Sequence, residues 1–587
     1  MFNEDQTLVL VFNGEIFNYR DLRRGLLSRG HRFCSESDGE VLLHLYEEEG
    51  TALCRLLEGM FAFAIWDRPR QQLFAARDPF GEKPFYYYQS SDSRSLAFAS
   101  SVAALVKSGL APFALNADSL AGYIVFGASL GNETLAEGVR TIPAGCHLTF
   151  TPNDGRLMIE PYQRIQSLAD QALTSTEPGP TPLLWGDVLD AVRKRMIADV
   201  PVGVFLSGGL DSSAIAAALK ELYPDRIKSF TVGYEAKNSA FDETTPARQA
   251  ATLLGTEHYE EVVTARDFAN SLDSIIAATD LPSHDGVNTF FASRLAARHV
   301  KVVLNGIGAD ELFGGYSTFR YEHLTTTPAF RMGRPFARMT LPLFRQAILT
   351  AEERGRTVWP YLFLEQSPPD LAQTLFRWYQ VRRLTPPEGV SRLLAGDLGR
   401  TEPLLSSEWG QRRDRLIALF GLPDRLVRSM PVLEVAGYLS PVLLRDSDAM
   451  SMYHSLELRI PFLDTAFVRL ALQYSLDQLM TLRSGKQPMR RAIAGHVPNS
   501  VMGRRKQGFG IPIGAWLDYP SVREAVLDEF ASLPQRARGL LDEQGLKELA
   551  HRFYHDNSPP NRHYRLVART WMMYCLLRWI RRMGCHQ

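Results

Sequence analysis

This 587-residue chain has no excess of either charge: 65 Lys and Arg stand against 65 Asp and Glu. That balance excludes a nucleic-acid binder that works by bulk charge. Cysteine is scarce. Cys34, Cys54, Cys146, Cys575 and Cys585 form no Cys-x-x-Cys pair. A disulfide framework is therefore excluded, and reduced thiols in a cytoplasmic setting are expected, buried at Cys146 and on an exposed tail at Cys585. Long apolar runs are absent too: Trp571–Ile580 is broken by Arg578, short of the roughly 18 residues a spanning helix needs. The opening Met1-Phe2-Asn3-Glu4-Asp5 has no basic region or signal-peptide core, so no membrane partner is expected. What is present is ample apolar content, 45% of residues. That rules out disorder as the main state, and the length predicts two to four domains.

The texture changes along the chain. Residues 1–165 read as short strands with turns (Leu8–Phe12, Phe61–Trp66, Leu73–Ala76, Phe85–Tyr88) and a helix over Asn18–Arg29, an α+β pattern. Asn13-Gly14 follows the first strand and reads as a hairpin turn. Residues 166–180 are polar with Pro and Gly and read as a linker. From 181 to 587 strands and helices alternate. The short apolar runs Val202–Leu206, Ile227–Val232 and Val300–Leu304 are those of a parallel sheet covered on both faces. Amphipathic helices are expected over Trp185–Ala198 and Thr245–Leu254, and 330–440 and 465–580 are mostly helical. No repeat has a fixed period.

The most informative residues are Ser207-Gly208-Gly209-Leu210-Asp211-Ser212-Ser213, between a buried strand and an Ala-rich helix. The glycines let the backbone turn and approach a ligand, and the N–H groups of the turn and helix start favour an anion. Asp211 would repel a bare phosphate unless a divalent cation lay between them. No Gly-Lys-Ser/Thr follows, so this is no Walker loop. The plainer reading is a capped helix after a strand.

Four segments carry a family resemblance. SGGLDSS resembles the pyrophosphate loop of the ATP pyrophosphatases. Asn305–Tyr316 (NGIGADELFGGY), Ser451–Asp464 (SMYHSLELRIPFLD) and Arg505–Pro512 (RKQGFGIP) are similar, in order, to blocks of the asparagine synthetases. In the first half, Leu8–Arg20, Ser37-Asp38, Gly59–Asp67 and Ala76–Gly81 resemble the same family's glutaminase domain. The resemblance implies an incomplete N-terminal-nucleophile amidotransferase domain of α+β fold at 1–165. An α/β adenine-nucleotide-hydrolase-like parallel-sheet domain with a helical C-terminal part follows at 181–587. It implies ATP and Mg²⁺ as cofactors, with small-molecule substrates: ATP, a carboxylic acid, and glutamine or ammonia. Asp211 and Asp310 would hold Mg²⁺. Leu206, Ser207, Gly208, Gly209, Asp211, Ser212, Val232, Asn305 and Gly306 would bind ATP. Lys506 would set a cation against the α-phosphate, with Gly508 and Gly510 closing its loop. On charge alone Lys506 belongs to a solvated basic face with Arg504 and Arg505. Asn13, Gly14, Glu15 and Asp38 would contact glutamine. Glu457 and Arg459 read as a structural pair, with orientation of the acid as the alternative.

Two departures stand out. Ile307 occupies a position where the family commonly has Glu, and Asn305 one where it commonly has Ser; nearby, His284 and Asp285 replace a plainer pattern. An isoleucine accepts no proton and holds no ammonium group. The family's glutaminase nucleophile is a Cys at the exposed N-terminus whose free amine is the base; here position 2 is Phe2. Two explanations stand: the first ~70 residues of such a domain lie upstream, with Met1 an internal methionine, which is the favoured reading, or glutaminase activity has been lost. The chain as given is then expected to use ammonia, and to be less soluble than a longer one because a sheet edge is bare. The leading expectation is an AMP-forming ligase that turns aspartate into asparagine. The alternatives are amidation of another acid such as a uronic-acid sugar, a β-lactam-type intramolecular amide synthetase, and, least favoured, a regulatory protein without activity. A homodimer is a further expectation.

Overall fold

A computed structural model describes residues 1–173, 180–224, 227–235, 241–327, 371–396, 403–406, 409–422, 429–481, 484–504, 510–555 and 564–584, with 330, 332 and 398. The first part is built on an antiparallel sheet of order β1-β2-β3-β7-β8: Leu8–Ile16, Gly59–Asp67, Gln72–Arg77, Cys146–Thr151 and Arg156–Pro161. Its two-residue period is plain in β2. Phe61, Phe63 and Ile65 face α1 (Tyr19–Ser28) and α2 (Glu40–Glu49). Ala62 and Ala64 face the other way, toward Phe85, Tyr87 and Phe98. Tyr87 and Phe98 belong to a second sheet, β5-β4-β6, of Leu96–Ala99, Tyr86–Gln89 and Val139–Thr141, and Phe85 immediately precedes its strand β4. The alanines let the two sheets lie face to face.

Asn13-Gly14 is not a turn. β1 runs through it to Ile16, in register with β2 from Leu8↔Asp67 to Ile16↔Gly59. The turn reading failed because cross-strand pairing overrode a local signal. Gly14 is needed there for another reason: at φ 141° a Cβ would collide with Met60 O. β1 is the sheet edge, joined on its outer side by the bridge Phe2↔Val9, and Val11 is exposed.

The second part is a parallel sheet of order β11-β10-β9-β12-β13: Glu257–Val263, Lys228–Tyr234, Val202–Phe205, Val302–Leu304 and Glu457–Arg459. The chain winds outward from β9 to β11, then returns to β12 on the other side. The switch point between β9 and β12 is where such sheets bind ligands.

The expected domain division needs two corrections. The stretch read as a linker opens with helix α5, Ile165–Leu173, whose Ile165, Leu168, Ala169 and Ala172 are buried at helical spacing. Residues 174–179 lie outside the described residues. Second, α3 (Val102–Lys107) and α4 (Ala117–Phe126) pack into the core of the second part. Tyr123 OH donates to Met572 O at 2.6 Å, and the Asp280 carboxylate accepts Val102 N at 2.9 Å and Ala103 N at 3.1 Å. The two parts therefore share a core. Of 330–440, helices are described over Leu371–Arg382 and Trp409–Phe420. Val435–Leu444 winds as a π-helix around Pro441, which has no N–H for an ordinary helical bond. No described helix is long and apolar enough to cross a membrane.

Candidate active site

β9 ends at Phe205, and the chain turns through Leu206–Gly209 into α7, Leu210–Leu222. Gly208, at φ 67°, makes the turn against Pro246, where a Cβ has no room. Ser207 Oγ meets Ser212 Oγ at 3.1 Å and accepts Gly209 N at 3.3 Å, and Arg504 Nη1 donates to Ser207 O at 2.9 Å. The loop is thus braced from inside. Leu206, Ser207, Gly209, Asp211, Ser212 and Val232 line a cavity of about 840 Å³. Gly208 and Ser213 do not line it; Ser213 is fully buried in the helix packing.

The cavity's other wall follows β12. Asn305, Gly306 and Ile307 lead to the short helix α11, Ala309–Phe313, and Asn305 Oδ1 accepts Ile307 N at 3.2 Å. A Cβ on Gly306 would sit 3.0 Å from Asp211 Cβ, so the two loops touch. Asp211 and Asp310 are brought together as expected, but what joins them is Lys486. Its Nζ lies 2.6 Å from Asp211 Oδ2 and 2.5 Å from Asp310 Oδ1. Burial alone would lower this ammonium's pKa; the two carboxylates outweigh it and hold the pKa above the ordinary lysine range.

Lys486 enters at the N-terminus of helix Gln487–Ala492 with φ 59°, its N–H bonded to Phe313 O at 2.9 Å. Gly315 and Gly485 leave room for the clasp. A Cβ on the first would collide with Asp310 Oδ1, and on the second with Gly314 O. The sequence reading missed Lys486. Gly485-Lys486 before a helix is a faint signal, and the lysine meets its partners only through the fold. Lys506, the lysine chosen instead, lies outside the described residues, as do Gly508 and Cys585.

Two carboxylates and one ammonium leave a net charge of −1, and Asp211 Oδ1 is buried with no hydrogen-bond partner among the described residues. Hard oxygen donors with residual negative charge fit a divalent cation such as Mg²⁺.

Beyond the clasp the cavity becomes more aromatic. Tyr438 OH donates to Asp285 Oδ2 at 3.2 Å, and Tyr316 OH to Glu311 Oε1 at 2.7 Å. Burial, with Asp310 alongside, pushes Glu311 up to about 7. The Arg382 guanidinium stacks 3.6 Å from the Tyr438 ring centre and pairs with Glu434. His284, Tyr316, Tyr438 and Tyr564 also line an adjoining cavity of about 190 Å³. Ile307 packs against the core at the large cavity's wall.

The four residues expected to contact glutamine sit at the far end of β1 and before α2. Asp38 Oδ2 accepts Ile16 N at 2.8 Å. Glu15 Oε2 lies 3.1 Å from Arg459 Nη2, and burial, eased by that arginine, pushes its carboxyl up to about 7. Arg459 is itself buried on β13. It also binds Glu457 at 2.7 Å and the carbonyls of Arg195 at 2.9 Å and Ile197 at 2.6 Å. Its own carbonyl accepts Asn305 N at 2.9 Å. The Glu457–Arg459 pair ties β1 to the loop after β12. A second buried link between the two parts is Lys83 Nζ to Asp448 Oδ1, 2.8 Å.

Residues 1–163 match the glutamine amidotransferase domain family. That match gives the class of the first part, a glutamine amidotransferase domain, joined to a parallel-sheet part with the carboxylate–lysine clasp at its switch point. Residues 186–581 match the family described as asparagine synthase. The chain is 32% identical over 531 residues to asparagine synthetase [glutamine-hydrolyzing] 1 of Bacillus subtilis, covering 88% of this chain and 77% of that protein. It is 34% identical over 518 residues to a putative asparagine synthetase [glutamine-hydrolyzing] of Mycobacterium tuberculosis, covering 87% and 76%. A shorter match, 32% over 339 residues, is to amidase chry2 of Gibberella zeae, covering 54% and 48%. The chain belongs to the asparagine synthase family and has its α+β and α/β two-part architecture.

Proposed function

We propose that the chain activates a small carboxylic acid with ATP and converts it to an amide, with aspartate as the acid. A carboxylate oxygen attacks the α-phosphorus, and the bond to the bridging oxygen breaks as pyrophosphate leaves. Ammonia then attacks the acyl carbon, AMP departs with the C–O electrons, and the surplus proton leaves the new nitrogen for solvent. The observation that carries this reading is Lys486 held between Asp211 and Asp310 beside the Ser207–Ser212 turn. A fixed ammonium there stabilises charge that grows on the departing pyrophosphate. The turn's N–H groups, with Leu206 and Val232, seat the nucleotide, and Asn305-Gly306 close against it. Asp211 and Asp310 would hold Mg²⁺, which supplies further neutralisation of the triphosphate.

Asn13, Gly14, Glu15 and Asp38 would form the glutamine end, with nitrogen drawn from glutamine or from ammonia supplied directly. A reducing cytoplasm suits the free thiols Cys34, Cys54, Cys146 and Cys575. A homodimer completes the reading and is checked by light scattering.

Ile307 favours a second reading, in which the acid is larger or less charged, such as a uronic-acid sugar. The test is pyrophosphate release by the purified chain with ATP, Mg²⁺ and ammonium, across aspartate and a panel of uronic and other acids. Release with aspartate that Asp211→Ala abolishes supports asparagine formation. Release with another acid alone assigns that acid, and no release with any acid refutes the ligase reading.

A further inference from the structure

Remote from the nucleotide cavity, the outer rim of the amidotransferase part carries a cluster of a different chemistry. Glu4 precedes β1, His31 follows α1, and His44 lies within α2; one donor atom from each falls within 4.8 Å of the others. Glu47, one turn after His44, joins them. Its Oε2 lies 3.4 Å from Nδ1 of His31 and 3.4 Å from Nδ1 of His44, while Glu4 Oε2 is 3.7 Å from His44 Nδ1. Donors at about 2.0–2.1 Å from a tetrahedral zinc ion stand roughly 3.3–3.4 Å apart.

Three of the four candidate ligands have the outer hydrogen bond a metal centre needs, and the fourth, His44, has a carboxylate near its far nitrogen but beyond hydrogen-bond distance. His31 Nε2 sits 2.9 Å from Glu48 Oε1, which fixes the tautomer that leaves Nδ1 facing the cluster. His44 Nε2 faces Glu40 Oε1 at 3.8 Å, and that carboxylate is held by Cys34 N at 2.6 Å. The second oxygen of each acidic ligand is also held: Glu47 Oε1 by Asn3 Nδ2 at 2.6 Å, and Glu4 Oε1 by Arg32 N at 3.0 Å. His44 is fully buried, and its Nε2 has no hydrogen-bond partner among the described residues. The Phe33 ring covers it, with centroids 4.4 Å apart.

We propose that Glu4, His31, His44 and Glu47 form a binding site for a borderline divalent cation, Zn²⁺ above all. Two imidazoles exclude Mg²⁺ and Ca²⁺ as the preferred ions. The ion would pin the turn before β1, the loop after α1 and the C-terminal half of α2 to one point. Asp38 lies between two of those anchors, so the site would stiffen the segment that carries it.

The experiment uses the full chain, stripped with chelator and titrated with Zn²⁺ against a chromophoric competitor, with bound metal counted by mass spectrometry. One equivalent of zinc is expected, with a tetrahedral visible spectrum when Co²⁺ is the probe. His31→Gln and Glu4→Gln are each expected to weaken binding by at least about tenfold, with circular dichroism and pyrophosphate release unchanged. Asp211→Asn is expected to keep the zinc, which separates this site from the nucleotide cavity. Absence of binding, or equal binding by His31→Gln and Glu4→Gln, overturns the proposal and leaves an ion-paired histidine network.

Discussion

Replacing Lys486 by methionine keeps the length of the side chain and removes its charge. At an effective dielectric of about 20, an ammonium 2.5–2.6 Å from a carboxylate gains about 6 kcal/mol from each of the two. Most of that gain offsets the cost of burying the ammonium. Removing one member of such a buried cluster costs about 3–5 kcal/mol, because the charges left behind have lost their partner. In catalysis, loss of one fixed electrostatic stabiliser lowers turnover by about 10²–10³-fold. Two readouts follow. Pyrophosphate release by Lys486→Met is expected to fall by at least about 10²-fold at saturating ATP, and the melting temperature is expected to drop in metal-free buffer. Millimolar Mg²⁺ is expected to restore much of the melting temperature, since a cation again faces Asp211 and Asp310, but not the rate. The double variant Asp211→Asn/Lys486→Met is expected to be more stable than Lys486→Met alone, because one unpaired carboxylate is gone. A Lys486→Met protein within tenfold of wild-type turnover, with an unchanged melting temperature, would refute the assignment.

Three further outcomes test the same architecture. Gly315→Ala places a methyl group on Asp310 Oδ1; it is expected to lower pyrophosphate release by more than about tenfold and stability by about 1–3 kcal/mol, read from urea melts. Glu15 has a folded-state pKa near 7 against 4.5 for the free group. The folded state therefore binds its proton more tightly, and stability falls as pH rises from about 4.5 through about 7, by roughly 2 kcal/mol once solvent screening is allowed for. Glu15→Gln is expected to flatten that part of the profile, and equal slopes for variant and wild type would contradict it. Arg459→Lys cannot reach two carboxylates and two carbonyls together. It is expected to lower the melting temperature and to weaken ATP binding through Asn305, measured by calorimetry; unchanged ATP affinity would sever that link.

The parallel sheet was legible because buried strands are short apolar runs set between amphipathic helices, a pattern that survives without any tertiary information. The loops after β9 and β12 were legible because glycines and carboxylates there have few other uses. Lys486 was not. Asp211 demanded a positive partner, and the sequence offered many; only the fold selects the one that arrives 275 residues later in the chain. Helix α5 could have been found, since Ile165, Leu168, Ala169 and Ala172 keep helical spacing. The Pro and Gly just beyond it drew the whole stretch into a linker. Asn13-Gly14 misled for a physical reason as well: a glycine needed for close approach of two strands looks the same in sequence as one needed for a turn.

The parallel sheet also sets an order of events during synthesis. β12 has β9 available to pair with once both have emerged, but its other edge waits for β13. About 150 residues separate them, which at roughly 5–20 residues per second is about 8–30 s of translation. For that interval the nascent chain carries four of the five strands with the β12 edge unpaired, and the last strand must close over a very long chain separation. The arginine that joins the two active parts rides on that last strand. The assembled enzyme therefore comes into being in one late step, and chaperone dependence should concentrate there rather than at the N-terminal half.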